Sequence, residues 1–591
     1  MNDPPVHPMS DPAPAPAPAP ADPPRWLPPA LVGLAAAVLL CLIFRGHHAS
    51  DEYFVAWDNA TNDRLRSLKW YDKNHFGATL QFFGLSRLPG VDRVEHFRAA
   101  AAACALLAFG LALRTARRHR VLGAPALVVF AGLLLTNAAF LRWGAYGLFN
   151  YAQMLLASVL AWYLALEWWR HRFRTTAAGA AGTCLLIAAL VFGYLGAALP
   201  IAAAGLVGLA GLLLPRGRAS DAPAGLRAGG WGLATLYAAV LAATAWVVRR
   251  RFTHAELGSP RAGVRPLFYP TSDEAAEGGA WAPLRYAVNH LSSWLHSAVE
   301  VHPGLGLPAA PLLVALAVGC SWGLWRGSVA FRVTLAWLAI NAVGMTTGAV
   351  AGLLPLGDVR YGLFVQVPLL AVVAWGLSAG LGRLARWGGP ARGPLGADPG
   401  ADPGPSRRAW GDAPLRPVFA VVAVLAAAVA GRALLAGHAD RRDLAEALDI
   451  FDKSGHLQTL VSGNTAVRVR YLGRGDGFTY WNVNGREAME LGFDGQVERL
   501  RALAAPRIRV VSTKPWPRLV PLDGPASAAG WPGGVPTQAP WAWITEHYRP
   551  VDGRAAGDFY VTVWALRPTL PGPPGLTRPR GEAADYPDGY R

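Results

Sequence analysis

Long apolar stretches are the feature that most constrains how this chain can fold. About eleven of them follow one another over the first three quarters of the 591 residues, each near the roughly 20 residues that one helix needs to cross a bilayer. Charged residues make up 16% of the chain, whereas soluble domains carry about 25%. The sequence therefore predicts a polytopic α-helical membrane protein with about 11 transmembrane helices.

The predicted spans are separated by short polar links and by two long polar loops. They cover residues 27–44, 97–113, 121–140, 151–169, 231–248, 307–325, 333–354, 361–381 and 417–435, with two more inside 177–214. Residues 177–214 are too many for one span. Because proline interrupts a helix, Pro200 near their middle predicts a tight helical hairpin.

The net charge of +17 comes mainly from Arg clusters between the apolar stretches, and it sets the predicted orientation. Because basic residues stay on the cytoplasmic side, the clusters at 114–120 and 170–174 predict cytoplasmic helix ends. The cluster Arg249–Arg251 does not fit this rule, since the same topology would place it outside. A single span at 177–214 would put the six Arg of residues 382–416 outside, which favours the hairpin. The prediction is a multi-pass protein of the inner (plasma) membrane with a cytoplasmic N-terminus. No motif supports a nucleic-acid partner.

The domain organisation follows from the same pattern. The sequence predicts a disordered Pro/Ala-rich cytoplasmic tail (1–26), a transmembrane domain (27–437) with outer loops (46–96 and 249–306) and a cytoplasmic linker (382–416), and an extracytoplasmic soluble domain (438–591). The soluble domain opens with amphipathic helical spacing at Leu444, Leu448 and Phe451. Strand-like stretches follow at 466–471, 508–512 and 559–565. This mixture predicts a small α/β or α+β fold.

An acidic pair, Asp51 and Glu52, lies just beyond the outer end of the first predicted span. Carboxylates at a membrane boundary are costly to desolvate unless they have a partner or a chemical role. The alternative is a solvated loop start. Lys73 and His75 follow in the same polar, aromatic loop; ordinary solvation and contact with a phosphate or sugar both remain open for them.

Two further elements join Arg and Tyr at predicted outer span ends. Arg142 precedes Tyr146 between the third and fourth spans, and the pair Arg360 and Tyr361 opens a late span containing Pro368. With the long first loop and its acidic pair, these elements resemble the GT-C superfamily of membrane glycosyltransferases, and most closely its protein mannosyltransferase and aminoarabinose-transferase group.

The resemblance implies a GT-C-like fold and an enzyme of the cell envelope. Its expected reaction moves a sugar from a polyprenyl-phosphate donor to a hydroxyl of a glycan, lipid or protein acceptor at the outer face, within periplasmic loops. Asp51 would act as general base with Glu52 assisting. Arg360, Arg142, Tyr361 and Tyr146 would bind the donor phosphate. In the family the acidic residue is proposed either as the base or as a metal-associated acid, so a divalent metal cofactor remains open.

Two other functions compete with this one. A transporter or lipid flippase would need charged residues in mid-span or an inverted repeat, and the sequence has neither. A catalytically inactive membrane scaffold is the other. For Arg142 and Arg360 the alternative to phosphate binding is interfacial snorkelling, common for Arg at helix ends. No Gly-rich phosphate loop within a βαβ unit occurs, which favours a lipid donor over a soluble sugar nucleotide.

Overall fold

The structure, a computed structural model, is mostly helical with a small sheet near its C-terminus. It describes residues 24–44, 84–85, 88–89, 94–145, 149–214, 230–252, 281–350, 362–388, 415–449, 458–461, 479–480, 507–512, 548–556 and 559–566. Within these residues, six helices are long and apolar enough to cross a membrane, and four shorter helices are also apolar.

Each predicted span has a helix at the corresponding place in the described chain. They are α1 Leu27–Ile43, α2 Val94–Arg118, α3 Ala124–Thr136, α4 Phe149–His171, α5 Ala177–Gly193, α6 Ala198–Leu213, α7 Gly230–Phe252, α8 Ala282–Val299, α9 Ala310–Arg326, α10 Val329–Val350, α11 Leu363–Gly388 and α12 Leu415–Asp449. A π-helix, Phe140–Ala145, lies between α3 and α4. Only α8 corresponds to no predicted span, since its amphipathic spacing predicts a helix lying on the membrane.

The predicted hairpin at 177–214 is confirmed. Helices α5 and α6 are joined through Tyr194 and the short 3₁₀ turn Leu195–Ala197. The reversal therefore comes slightly before Pro200. That proline lies in the first turn of α6, where its missing N–H has no helical partner to lose.

Small residues allow the closest approaches between helices. A Cβ built on Gly376 of α11 would collide with the backbone of Ala315 in α9, and one on Gly319 would collide with the backbone carbonyl of Val372. Helices in lipid associate through such tight van der Waals packing, because lipid tails are as apolar as the side chains they would replace. The α9–α11 pair therefore depends on glycine at this crossing.

Buried indoles supply hydrogen bonds between helices. Trp162 Nε1 of α4 donates to Thr334 Oγ1 of α10 at 2.9 Å. Trp337 Nε1, also of α10, donates to the backbone carbonyl of Pro200 at 3.1 Å. A buried indole N–H is stable only with an acceptor, so these bonds fix the position of α10 along the bundle axis relative to α4 and α6.

One end of the bundle carries the Arg clusters, and we call it the basic end (residues 114–120 and 170–174). There Glu167 pairs with Arg118 at 2.7 Å and with His171 at 3.2 Å. Burial lowers the pKa of His171 below its usual value, while the Glu167 carboxylate opposes that shift. Ser328 Oγ donates to the Arg120 carbonyl at 3.0 Å and joins the α9–α10 turn to this end.

The C-terminal part begins inside a helix. Helix α12 runs unbroken for 35 residues, about 52 Å, although the hydrocarbon core spans about 30 Å. It thus crosses position 437/438, where the sequence predicts the domain boundary. Its apolar window is Leu415–Ala436, so its last turns extend beyond the part suited to a bilayer.

A mixed five-stranded sheet follows α12. Its strands are β1 Gln458–Val461, β2 Thr479–Tyr480, β3 Arg507–Ser512, β4 Tyr548–Ala556 and β5 Phe559–Leu566, in the order β2-β1-β3-β5-β4. β1 pairs in parallel with β2 and β3, whereas β5 pairs antiparallel with β3 and β4. The predictions at 508–512 and 559–565 are confirmed, and the one at 466–471 lies outside the described residues. The helix and the mixed sheet agree with the predicted α/β or α+β class.

We expect Gly376→Ala to destabilise the bundle, because its new methyl group meets the Ala315 backbone, which cannot rotate away. Overpacking of this kind costs about 1–3 kcal/mol. The measurement is thermal unfolding of the purified protein in detergent. Gly380→Ala on the same helix is the matched control, since nothing lies within 4 Å of its Cβ position, and it should be neutral or slightly stabilising. Equal effects of the two substitutions would contradict the packing of α9 on α11.

Candidate functional site

The end of the bundle opposite the basic end brings together chain segments that are far apart in sequence. Helix α2 shows the opposition directly, because Arg98 lies in its second turn and Arg117 and Arg118 lie in its last. We call this second end the site end and define it by residues 43, 98, 137–145, 298–302 and 362–366.

Arg98 fixes the point at which the first long loop leaves the bundle and returns. Its side chain is 3% exposed, and its Nη1 donates to the backbone carbonyl of Ile43, the last residue of α1, at 3.2 Å. The last carbonyls of a helix have no intrahelical partner and carry partial negative charge, which a guanidinium neutralises. The loop that contains Asp51 and Glu52 is therefore attached to the site end at both of its helices.

Helix α3 ends at Thr136, and Asn137 breaks the helical backbone. The sequence predicts helix to residue 140, and that prediction is wrong: Asn137 is extended (φ −72°, ψ 126°) and forms an antiparallel bridge with Val301. The backbone N–H of Ala138 donates to the Glu300 carbonyl at 2.9 Å, and that of His302 donates to the Thr136 carbonyl at 2.6 Å. These bonds satisfy the polar groups that the break frees.

The Asn137 side chain adds further hydrogen bonds at the break in α3. It is 1% exposed, and its Nδ2 donates to the carbonyls of Ala298 at 2.9 Å and Glu300 at 3.0 Å. Its Oδ1 accepts the backbone N–H of Phe140 at 2.8 Å, which starts the π-helix. Irregular backbone at membrane depth is tolerated only where it is buried in protein and its groups are paired, and both conditions hold here.

Gln366 ties the start of α11 to the same place. The side chain is fully buried, and its Nε2 donates to Asn137 Oδ1 at 2.5 Å and more weakly to the Ala298 carbonyl at 3.3 Å. Three segments, the break after α3, the end of α8 and the first turn of α11, thus share one hydrogen-bonded cluster.

The π-helix presents Arg142 at the surface of the site end. The Arg142 side chain is exposed, and its Cζ lies 5.1 Å from the centre of the Trp143 ring. Trp143 is 6% exposed and packs edge-to-face on Tyr151 at the start of α4, with ring centres 5.0 Å apart. Cation–π contact with a ring that is itself held gives the guanidinium a preferred position while leaving its N–H donors available.

Gly362 marks where the Arg360 segment joins the bundle. A Cβ at Gly362 would collide with the indole of Trp294, which is 3% exposed on α8. Only glycine allows the chain to pass this close. Because Tyr361 is bonded to Gly362, the contact determines the point from which the segment with Arg360 departs.

Of the predicted site residues, the structure describes Arg142 and places it on the π-helix at the site end. The others lie outside the described residues and stay predictions: Asp51, Glu52, Lys73, His75, Tyr146, Arg360 and Tyr361. Within the described part of the chain, no group of three or more His, Cys, Asp or Glu side chains is arranged to hold a metal ion.

The sequence motifs give no role to Arg98, Asn137 or Gln366. A signal for them exists, because each is a lone polar residue in or beside an apolar stretch, where an unpaired polar group is expensive. A lone polar residue of this kind therefore predicts a hydrogen-bond partner, although the sequence does not identify that partner.

Comparison with known proteins gives structural neighbours and no sequence relatives. No family model matches the chain, and no curated protein matches it. The crystal structure of ArnT from Cupriavidus metallidurans bound to undecaprenyl phosphate is similar at 16% identity with a TM-score of 0.49, covering 93% of this chain and 99% of that one. The apo structure of the same protein is similar at 16% identity with a TM-score of 0.46, covering 91% and 97%.

We expect a cysteine at position 142 to be labelled from outside the cell. In a variant whose four native cysteines are replaced by alanine, Arg142→Cys should react with a membrane-impermeant maleimide in intact spheroplasts, because Arg142 is exposed at the site end. Arg117 is exposed in the last turn of α2, at the basic end, and Arg117→Cys should react only after permeabilisation. Labelling of both from one side, or in the reverse order, would overturn the predicted orientation.

Proposed function

We propose that this chain is an integral membrane glycosyltransferase, which moves a sugar from a polyprenyl-phosphate donor to an acceptor hydroxyl at the outer face of the cytoplasmic membrane. One observation carries the proposal. An exposed, positioned Arg142 lies at the bundle end where α1 ends and α11 begins. Those two helix ends lead directly into the segments that contain Asp51 and Arg360.

The acidic pair supplies the base. Asp51 removes the proton from the acceptor hydroxyl as its oxygen attacks the anomeric carbon of the sugar. The bond between that carbon and the phosphate oxygen breaks, and the polyprenyl phosphate departs with the bonding electrons. Glu52 orients the acceptor. The attachment of this loop through Arg98 and Ile43 supports the assignment, since both of its anchors are at the site end.

The guanidinium groups bind the departing phosphate. Its negative charge grows in the transition state, and Arg donors stabilise it through charge-assisted, bidentate hydrogen bonds. Arg360 is the first candidate and Arg142 the second, with Tyr361 and Tyr146 beside them, and with Lys73 and His75 as further substrate contacts. The position of Arg142 over Trp143 favours ligand binding over snorkelling, because a snorkelling side chain has no need of a fixed partner.

Helix α8 borders the route by which the lipid donor arrives. Among the apolar residues at helical spacing along α8, Val299 is buried and Leu291 and Leu295 are half-buried, whereas Leu284 and Val288 remain 42% and 54% exposed. Its buried face instead centres on Trp294, against Gly362. A helix with apolar side chains exposed beside the site suits a donor whose tail stays in the bilayer while its phosphate reaches the Arg residues.

The burial of charge disfavours the transporter alternative. Among the described helices, the buried arginine is Arg98, in the second turn of α2 rather than in mid-span. Ion and substrate pathways place ionisable residues deep between helices. In the described spans the mid-bundle polar residues are neutral, as in Ser158, Thr334 and Asn341.

We expect Asp51→Asn to reduce sugar transfer by about 10²- to 10⁴-fold, the usual contribution of a general base. The assay is transfer of labelled sugar from the lipid-linked pool to acceptors in membrane vesicles containing the full-length protein. Glu446→Gln, at an exposed carboxylate on α12, is the matched control and should retain activity. Unchanged transfer by Asp51→Asn at normal expression would refute the role of Asp51.

We expect Arg142→Gln and Arg360→Gln each to lower kcat/KM for the lipid donor by roughly 10²-fold, because each removes a donor to the phosphate. Arg142→Lys and Arg360→Lys should lose less, since they keep the charge but not the planar fork. The measurement is steady-state transfer at varied donor concentration. If the glutamine variants lowered only the temperature of unfolding and left kcat/KM unchanged, snorkelling would be the correct interpretation.

A further inference from the structure

Glu300 is the only acidic residue among those that define the site end. It follows the last residue of α8, its backbone is extended (φ −56°, ψ 131°), and its side chain is half-buried. Its backbone carbonyl accepts the N–H of Ala138 at 2.9 Å and Asn137 Nδ2 at 3.0 Å. The carboxylate therefore projects from a backbone position that two hydrogen bonds fix.

The antiparallel bridge between Asn137 and Val301 determines the face on which Glu300 lies. Successive residues of an extended segment project to opposite faces. Asn137 and Val301 are 1% and 6% exposed, so their shared face is the buried one. Glu300 belongs to the other face, together with Ala138, and both are half-buried. The alternation directs the carboxylate away from the buried amides and toward the surface of the site end.

Arg142 lies on the same surface. It follows Ala138 by four residues in a continuous helical stretch, and residues at this spacing share a helix face. The rise over four helical residues is about 6 Å, and residues opposite each other in a bridge have Cα atoms about 5 Å apart. The Cα atoms of Glu300 and Arg142 are thus within about 11 Å of each other. A ligand the size of a sugar phosphate fits between two side chains at this separation.

The two charges do not neutralise each other. In the part of the chain that the structure describes, no ion pair joins Glu300 to Arg142 or to any other cation. A half-buried carboxylate loses hydration that an acceptor of hydrogen bonds can recover only from a donor. A negative charge near Arg142 also weakens the attraction of this surface for a phosphate alone. Hydroxyl groups next to the phosphate offset both costs, because they donate hydrogen bonds to the carboxylate.

We propose that Glu300 is a substrate-binding residue that accepts hydrogen bonds from hydroxyl groups of the donor sugar, while Arg142 donates to the phosphate. The inference rests on the proposed function and deepens it. It assigns to Glu300 the distinction between a sugar-bearing lipid phosphate and the same lipid phosphate without its sugar.

The test compares two lipids with the full-length protein in nanodiscs. One is the lipid-linked sugar donor extracted from the native membrane, for which KM is measured by steady-state transfer. The other is undecaprenyl phosphate, which carries the phosphate but no sugar, and its affinity is measured by titration.

We expect Glu300→Gln to raise KM for the sugar donor about tenfold, because a neutral amide accepts hydrogen bonds more weakly than a carboxylate. Its affinity for undecaprenyl phosphate should stay within about twofold of the wild type or increase slightly. Glu300→Asp, which keeps the charge, should lose less. Arg142→Gln should weaken the binding of both lipids, and the control Glu446→Gln on α12 should weaken neither.

The temperature of unfolding separates ligand binding from a structural role. Glu300→Gln should unfold with the wild type, because the backbone carbonyl that Asn137 and Ala138 use is unchanged. Wild-type KM for the donor, an equal loss of affinity for both lipids, or an effect confined to KM for the acceptor overturns this inference alone. Failure of the unmodified protein to transfer sugar from the lipid-linked donor overturns the proposed function, and this inference with it.

Discussion

The hydrogen bonds of Asn137 close a break in α3 that would otherwise expose backbone polar groups to hydrocarbon. No water is available inside a bilayer, so each freed N–H and carbonyl must find a partner within the protein. Here the partners come from residues 298–302 and from Gln366, and obtaining them draws the end of α8 and the start of α11 to the end of α3. The arrangement of the site end follows from this requirement, because no helix involved can move away without leaving polar groups unpaired.

The same break shapes the surface that carries Arg142. Had α3 continued as a regular helix to residue 140, Arg142 would follow an ordinary helix end with freedom to reorient. The π-helix that begins at Phe140 instead sets Arg142 against the ring of Trp143, and short π-helical segments occur frequently at functional sites. An irregularity that is costly in lipid is thereby retained in the segment that the proposed function assigns to phosphate binding.

Periodicity and length were sufficient to predict most of the helical part, because twenty apolar residues in a row leave few alternatives in a bilayer. The hairpin at 177–214 was predictable from Pro200 and the Arg clusters. The partnership of Asn137 with Gln366 was not, since the two are 229 positions apart and either amide alone is compatible with many packings. For the same reason the sequence identifies Arg142 as a candidate but gives neither its π-helix nor the ring beneath it. In the sheet, β3 and β5 are rich in β-branched and aromatic residues, whereas the short β1 and β2 depend on pairing that only the tertiary fold supplies.

Two arginines at the site end illustrate why position alone does not assign a role. Arg98 is 3% exposed and caps the last carbonyl of α1, so its charge already serves the negative end of a helix dipole. Withdrawing it toward a ligand would leave the Ile43 carbonyl unpaired and would loosen both anchors of the first loop. Arg142 is exposed and held through an aromatic face, a contact that leaves its in-plane N–H groups free to donate to an anion. Of the two, Arg142 can therefore gain a phosphate without giving up a structural bond, whereas Arg98 cannot.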